Sequence, residues 1–133
     1  MIVDASVAFK WIFVEQGSEA AKALLDRDDL RSPNLLLVEI GNALWKKGMR
    51  GELGDQAAYA AQLSIVSSFL STVGEAELVP RAMEMALALQ HPIYDCIYLA
   101  LAERLADILV TADEKFWNKV STSDYKDLVQ LLE

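Results

Sequence analysis

The chain has 133 residues, enough for one domain whose folding buries roughly 68% of its unfolded surface, and 53% of the residues are apolar. Twenty acidic residues against twelve basic ones give a net charge of −8, which argues against capture of nucleic acid or anionic membrane by bulk charge. Cys96 is the only cysteine, so an intrachain disulfide is excluded, and no segment approaches the roughly 20 apolar residues of a membrane span.

Residues 1–4 form a short apolar run ending in Asp4 and read as a strand. Asp4 and Lys10 interrupt this N-terminal stretch, and no basic segment precedes it, so it does not read as a secretory signal. Helices are expected over 5–14 and 17–27, a brief strand over 30–32 ended by Pro33, and a strong helix over 35–49. On that helix Leu36, Ile40, Ala43, Leu44 and Trp45 are expected to share an apolar face, and Gly48, Gly51 and Gly54 to mark the turn after it. A helix over 55–70 has Asp55 as its candidate cap, and 76–79 reads as a strand. Residues 81–90 form the next helix, with Met83, Ala86 and Leu87 on one side. His91-Pro92 is a boundary, because proline suits the first helical position and disfavours helix in the residue before it. A helix over 93–105, a strand over 108–110, a short helix over 114–119 and an edge strand over 128–132 complete the chain. Short strands alternating with helices argue for an α/β fold with a parallel sheet, in a single domain spanning 1–133 and without internal repeats.

Four carboxylates stand out: Asp4, Glu39, Asp95 and Asp113. Asp4 and Asp113 each follow an apolar run, where parallel strands present their carboxyl ends to one crevice. Glu39 follows Leu35-Leu36-Leu37-Val38, with Asn42 one turn on, and Asp95 lies among Ile93, Tyr94, Cys96, Ile97 and Tyr98. Each alone has an ordinary structural reading as a helix cap, an exposed helix residue or a complement to a helix dipole. Together at one crevice they repel one another, and a hard divalent cation relieves that repulsion, so magnesium or manganese is expected.

The residues that carry this pattern resemble the PIN-domain ribonucleases, in particular the VapC-type toxins of toxin–antitoxin pairs. The resemblance rests on Ile2-Val3-Asp4-Ala5-Ser6, on Leu37 to Leu44 around Glu39, on Tyr94 to Ala102 around Asp95, and on Leu109-Val110-Thr111-Ala112-Asp113. It implies a three-layer α/β/α sandwich with strand order 3-2-1-4-5, Mg²⁺- or Mn²⁺-dependent RNA cleavage, a homodimer and inhibition by a cognate antitoxin. It also implies that Asp4, Glu39, Asp95 and Asp113 are catalytic and metal-binding, with Ser6, Asn42 and Thr111 in support. Cys96 departs from the small residue more often found at that place, and His91-Pro92 makes a stiff lead into Asp95.

Phosphodiester hydrolysis needs an activated water and relief of charge on the leaving oxygen, which two cations roughly 4 Å apart can supply. A separate general base is then unnecessary, and His91 reads as a boundary or capping residue. Phe9, Trp11 and Phe13 read as packing groups. Trp45 reads as a core residue followed by a solvated basic helix end of Lys46, Lys47 and Arg50; the alternative is a contact for RNA phosphate or an acidic partner. A housekeeping RNA-processing nuclease is a second reading of the same site. Aspartyl-phosphate chemistry wants an Asp two residues after the nucleophile, where this chain has Ser6. A non-catalytic binding module, whose carboxylates only cap helices, predicts no response to divalent ions. A cytoplasmic protein without membrane association is expected, with its dimer interface around 35–45 and 63–70.

Overall fold

β1 (Ile2–Val3), β2 (Arg31–Pro33), β3 (Ser71–Val73), β4 (Leu109–Thr111) and β5 (Val129–Leu131) form one sheet in the order β3-β2-β1-β4-β5. Every neighbouring pair is parallel, with Ile2 beside Arg31 on one side and Leu109 on the other. The computed structural model describes residues 1–52, 54 and 56–133, without the side chains of 56 and 57, so the expected cap Asp55 lies outside the described residues. Parallel strands require crossovers, and the helices supply them. They are α1 (Ala5–Ile12), α2 (Ser18–Ala23), α3 (Leu35–Met49), α4 (Gln56–Ser68), α5 (Val79–Leu89), α6 (Ile93–Leu105) and α7 (Glu114–Ser121).

The core is centred on β1, β4 and α6. Ile2, Val3 and Leu109 are fully buried, and every residue from Cys96 to Ala102 is buried, so this stretch of α6 is enclosed on all sides. α6 packs across β1, β2 and β4, and α5 packs along α6. α1 packs against α3, α4 and β4. No helix among the described residues is long and apolar enough to cross a membrane.

Four expectations are corrected, the last of them at Gly48. Residues 76–79 are not a strand: Ala76–Leu78 form a 3-10 turn that buries Leu78 and leads into α5. The third strand lies earlier, at Ser71–Val73, because Thr72 and Val73 suit an extended edge and Ser71 N–H donates to Leu30 C=O at 3.0 Å, which sets the register with β2. Trp45 is not a core residue but 58% exposed. The buried stripe of α3 is Leu36, Ile40 and Leu44, one helical turn apart, and five residues beyond Ile40 the helix has rotated Trp45 off it. On α5, Met83 and Leu87 are 47% and 73% exposed; α6 instead covers the face bearing Ala82, Met85, Ala86 and Leu89.

Gly48 belongs to α3 and not to the turn after it. A Cβ there would lie 2.7 Å from Tyr59 Oη, so its absence lets α4 approach α3 closely. Gly51 supplies the left-handed residue beyond the helix end, with φ of 69°.

Candidate active site

The strand order reverses between β1 and β4, and open α/β sheets bind ligands outside the carboxyl ends of the strands at such a point. β1 is two residues long, so Asp4 emerges at its carboxyl end and caps α1. Its Oδ1 accepts from Val7 N–H at 3.2 Å and from Ser6 Oγ at 2.5 Å. Asp4 is only 5% exposed, and burial pushes its pKa up to about 6. Hydrogen bonding from Ser6, Thr111 and Val7 opposes that rise, and the negative charge of Asp95 adds to it.

Glu39 comes from α3, bordering the buried stripe of Leu36 and Ile40, and is half-buried. Tyr98 Oη of α6 donates to its Oε1 at 2.5 Å. Burial raises the Glu39 pKa, the Tyr98 hydrogen bond lowers it, and Asp95 raises it again. The Tyr98 hydroxyl is held firmly protonated, first by burial and then by the charge of Glu39, with Asp4 and Asp95 adding to it.

Asp95 lies in the first turn of α6. Its Oδ2 is 2.6 Å from His91 Nε2, four residues earlier and just outside the helix. His91 Nδ1 is 3.3 Å from Lys119 Nζ, and the imidazole stacks on Phe116 with ring centroids 4.7 Å apart. Asp113 follows β4, is exposed, and caps α7 by accepting from Phe116 N–H at 3.0 Å. Its own N–H donates to Thr111 Oγ1 at 3.1 Å. Ser6 Oγ lies 3.4 Å from Thr111 Oγ1 and accepts from Ala112 N–H at 2.9 Å. Ser6 and Thr111 therefore tie the end of β4 to the start of α1.

The structure thus brings Asp4, Glu39 and Asp95 into one electrostatic cluster from three separate elements. Asp113 connects to it through its backbone N–H on Thr111 and the Thr111–Ser6 contact, while its carboxylate caps α7. Among the described residues, no group of three or more His, Cys, Asp or Glu side chains stands close enough together to hold a metal ion. An open set of oxygen donors around a buried carboxylate suits a hard cation that keeps several of its waters, and it contains no thiolate for a soft metal. Beside the cluster runs a groove of about 440 Å³ lined by Ser6, Phe9, Lys10, Glu39, Asn42 and Lys46 among others. Asn42 is exposed there, one turn from Glu39. Lys10 is held by Glu15 at 3.0 Å and Gln16 C=O at 2.6 Å. Lys47 sits 4.4 Å over the Phe13 ring and pairs with Glu52, so the basic end of α3 is partly engaged within the chain. Phe9 and Phe13 pack on each other with centroids 4.7 Å apart, and Trp11 Nε1–H donates to Ala21 C=O, in keeping with packing roles.

Two residues of this site escape sequence reasoning. Tyr98 lies three residues after Asp95, a spacing that puts both on one face of a helix, yet it sits inside an apolar motif. His91 reads as a boundary residue because Pro92 follows it, and its partnership with Asp95 depends on how α7 seats the ring.

Residues 1–121 match the PIN domain. The chain is 30% identical over 122 residues to a protein named Ribonuclease VapC3 from Pyrobaculum aerophilum, covering 90% of this chain and 93% of that one. The crystal structure of PAE2754 from Pyrobaculum aerophilum is similar with a TM-score of 0.74 and 27% identity, over 98% of this chain and 87% of that one. A toxin–antitoxin complex from Klebsiella pneumoniae contains a chain of the same fold, with a TM-score of 0.66 and 14% identity, over 97% of this chain and 94% of that one. A sheet ordered 3-2-1-4-5, a carboxylate cluster at its switch point and a match across nearly the whole length place this chain in the PIN-domain family.

Proposed function

We propose that this chain is a VapC-type endoribonuclease, the toxin of a toxin–antitoxin pair, which hydrolyses RNA phosphodiester bonds with Mg²⁺ or Mn²⁺. The observation that carries this reading is that Asp95 lies near enough for its charge to act on both buried Asp4 and half-buried Glu39, beside an open groove at the strand switch point. These three would hold the ion, with Asp113 acting from the rim. When bound, a divalent cation supplies charge for activating water and for the departing oxygen. The chain's own residues do the positioning. Ser6 and Thr111 fix Asp4 and the end of β4, and Tyr98 orients Glu39 through one carboxylate oxygen. Lys46 and Asn42 line the groove where RNA phosphate would run, Lys46 supplying a local positive charge against the net charge of −8 and Asn42 an amide donor.

The relative named Ribonuclease VapC3 and the Klebsiella toxin–antitoxin complex support an RNA substrate and an antitoxin partner. A homodimer in the cytoplasm completes the proposal. Val38, Trp45 and Ile65 are exposed apolar residues on α3 and α4, within the 35–45 and 63–70 stretches expected to form its interface.

The test is cleavage of a mixed cellular RNA pool with manganese, with magnesium and with chelator, using wild type beside Asp95→Asn. Metal-dependent cleavage by wild type, abolished in the variant, is the expected result. No cleavage by either protein, together with no thermal shift on adding metal, would sink the nuclease reading in favour of a binding module.

A further inference from the structure

His91 is the only histidine of the chain, and by sequence it reads as a boundary or capping residue with no part in the chemistry. Its surroundings are constructed by two elements. The ring packs on Phe116 of α7, and its backbone N–H is fixed on Ala86 C=O of α5 at 3.1 Å. Lys119 Nζ of α7 donates to Gln90 C=O at 3.0 Å and lies 3.3 Å from His91 Nδ1. An ammonium has three donors and no acceptor, so in that contact Nδ1 must accept. The ring hydrogen is then on Nε2, directed at Asp95 Oδ2 at 2.6 Å. One Asp95 oxygen is thereby occupied by a donor seated outside α6, and the other is left for a different partner.

We propose that His91, with its tautomer set by Lys119, is a positioning residue that orients Asp95 for the divalent ion. The inference rests on the carboxylate–metal reading above and adds residues outside the acidic motifs to it. Hydrogen bonds to a ligating carboxylate fix its direction, and their removal typically weakens metal affinity 10–100-fold. The Lys119 ammonium and the Phe116 ring act on Asp95 through the imidazole.

Two measurements test this on the purified full chain. Nitrogen-15 NMR of the single imidazole, at mildly alkaline pH without metal, should show the Nε2–H tautomer, with Nδ1–H appearing in Lys119→Met. A dominant Nδ1–H tautomer in wild type overturns the proposal. Mn²⁺ binding, followed by the electron paramagnetic resonance of the free ion without RNA, should weaken 10–100-fold in His91→Ala. His91→Gln, whose side-chain amide can donate to the same oxygen, should recover most of that loss, and Lys119→Met should show a smaller loss. If wild type binds Mn²⁺ and His91→Ala binds it equally well, the positioning role is wrong while the metal site stands. If wild type binds no Mn²⁺, the metal reading fails and this inference with it. Should His91→Ala fail to fold, Lys119→Met carries the test: unchanged Mn²⁺ affinity together with an unchanged tautomer overturns it.

Discussion

Burial of Asp4 makes the stability of the metal-free protein depend on pH with a definite sign. Its carboxyl is raised from 3.8 to about 6, so the folded state holds the proton more tightly than the unfolded one. The stabilising contribution is complete below about pH 4 and is lost as pH rises through about 6, in total about 3 kcal/mol. Asp29, Glu103 and Asp107 have lowered pKa values and act in the opposite sense at lower pH, so the comparison must be with a variant. Asp4→Asn keeps an oxygen for Ser6 and Val7 and cannot ionise. Urea unfolding without metal should show it gaining on wild type between about pH 4 and pH 6, then holding a constant lead. A lead that does not vary across that window would mean Asp4 is not held in a desolvated state. Tyr98→Phe tests the neighbouring carboxylate. It removes the donor to Glu39 and should destabilise the protein by about 1–2 kcal/mol at neutral pH, less in acid where Glu39 is uncharged.

At the scale of elements, α7 joins the rim of the site to its interior. Asp113 caps it, and Phe116 and Lys119 on the same helix hold His91. Capping and charge can be separated here, because Asn caps nearly as well as Asp. Asp113→Ala should cost about 1 kcal/mol in thermal or urea unfolding, and Asp113→Asn only a few tenths. We expect Asp113→Asn to lower metal-dependent cleavage all the same; full activity in that variant would restrict Asp113 to the cap. The brevity of the strands matters at this scale too. With two residues in β1 and three in β4, Ser6 of α1 and Thr111 at the end of β4 remain within reach of each other across the sheet end.

For the whole molecule, the proposed ion acts as glue among elements that otherwise repel. Asp4, Glu39 and Asp95 follow β1, lie in α3 and open α6, so relief of their repulsion joins distant parts of the chain. Free Mg²⁺ or Mn²⁺ at a hundred times its dissociation constant should stabilise the fold by about 2.7 kcal/mol by mass action. Differential scanning calorimetry should register a Tm rise of roughly 2–8 °C per kcal/mol in a domain of this size. Asp95→Asn should raise the metal-free Tm and flatten the response to metal. A Tm indifferent to either ion in wild type would contradict the cluster.

Sequence alone determined the periodic elements and the acidic residues. α3 and α6 carry long helical runs bounded by Pro33, Gly51 and Pro92, and their limits at 35–49 and 93–105 match what the pattern predicts. The sheet order was legible through the resemblance of four short motifs, because two of them sit at strand ends and two within helices whose placement the fold dictates. The third strand was not legible: 71–73 and 76–79 are both short and mixed, and only pairing with β2 decides which one is extended. Nor was the direction of Trp45 or Leu87, since both helices carry more apolar residues than one face can bury and the neighbouring elements choose among them. The partners of the carboxylates also belong to the tertiary structure alone. Glu39 meets Tyr98 across 59 positions, and Lys119 reaches His91 across 28, by contacts that no local spacing encodes. Hydrophobic periodicity is a property of neighbours along the chain, whereas a buried charge finds its partner only after the core has brought the elements together.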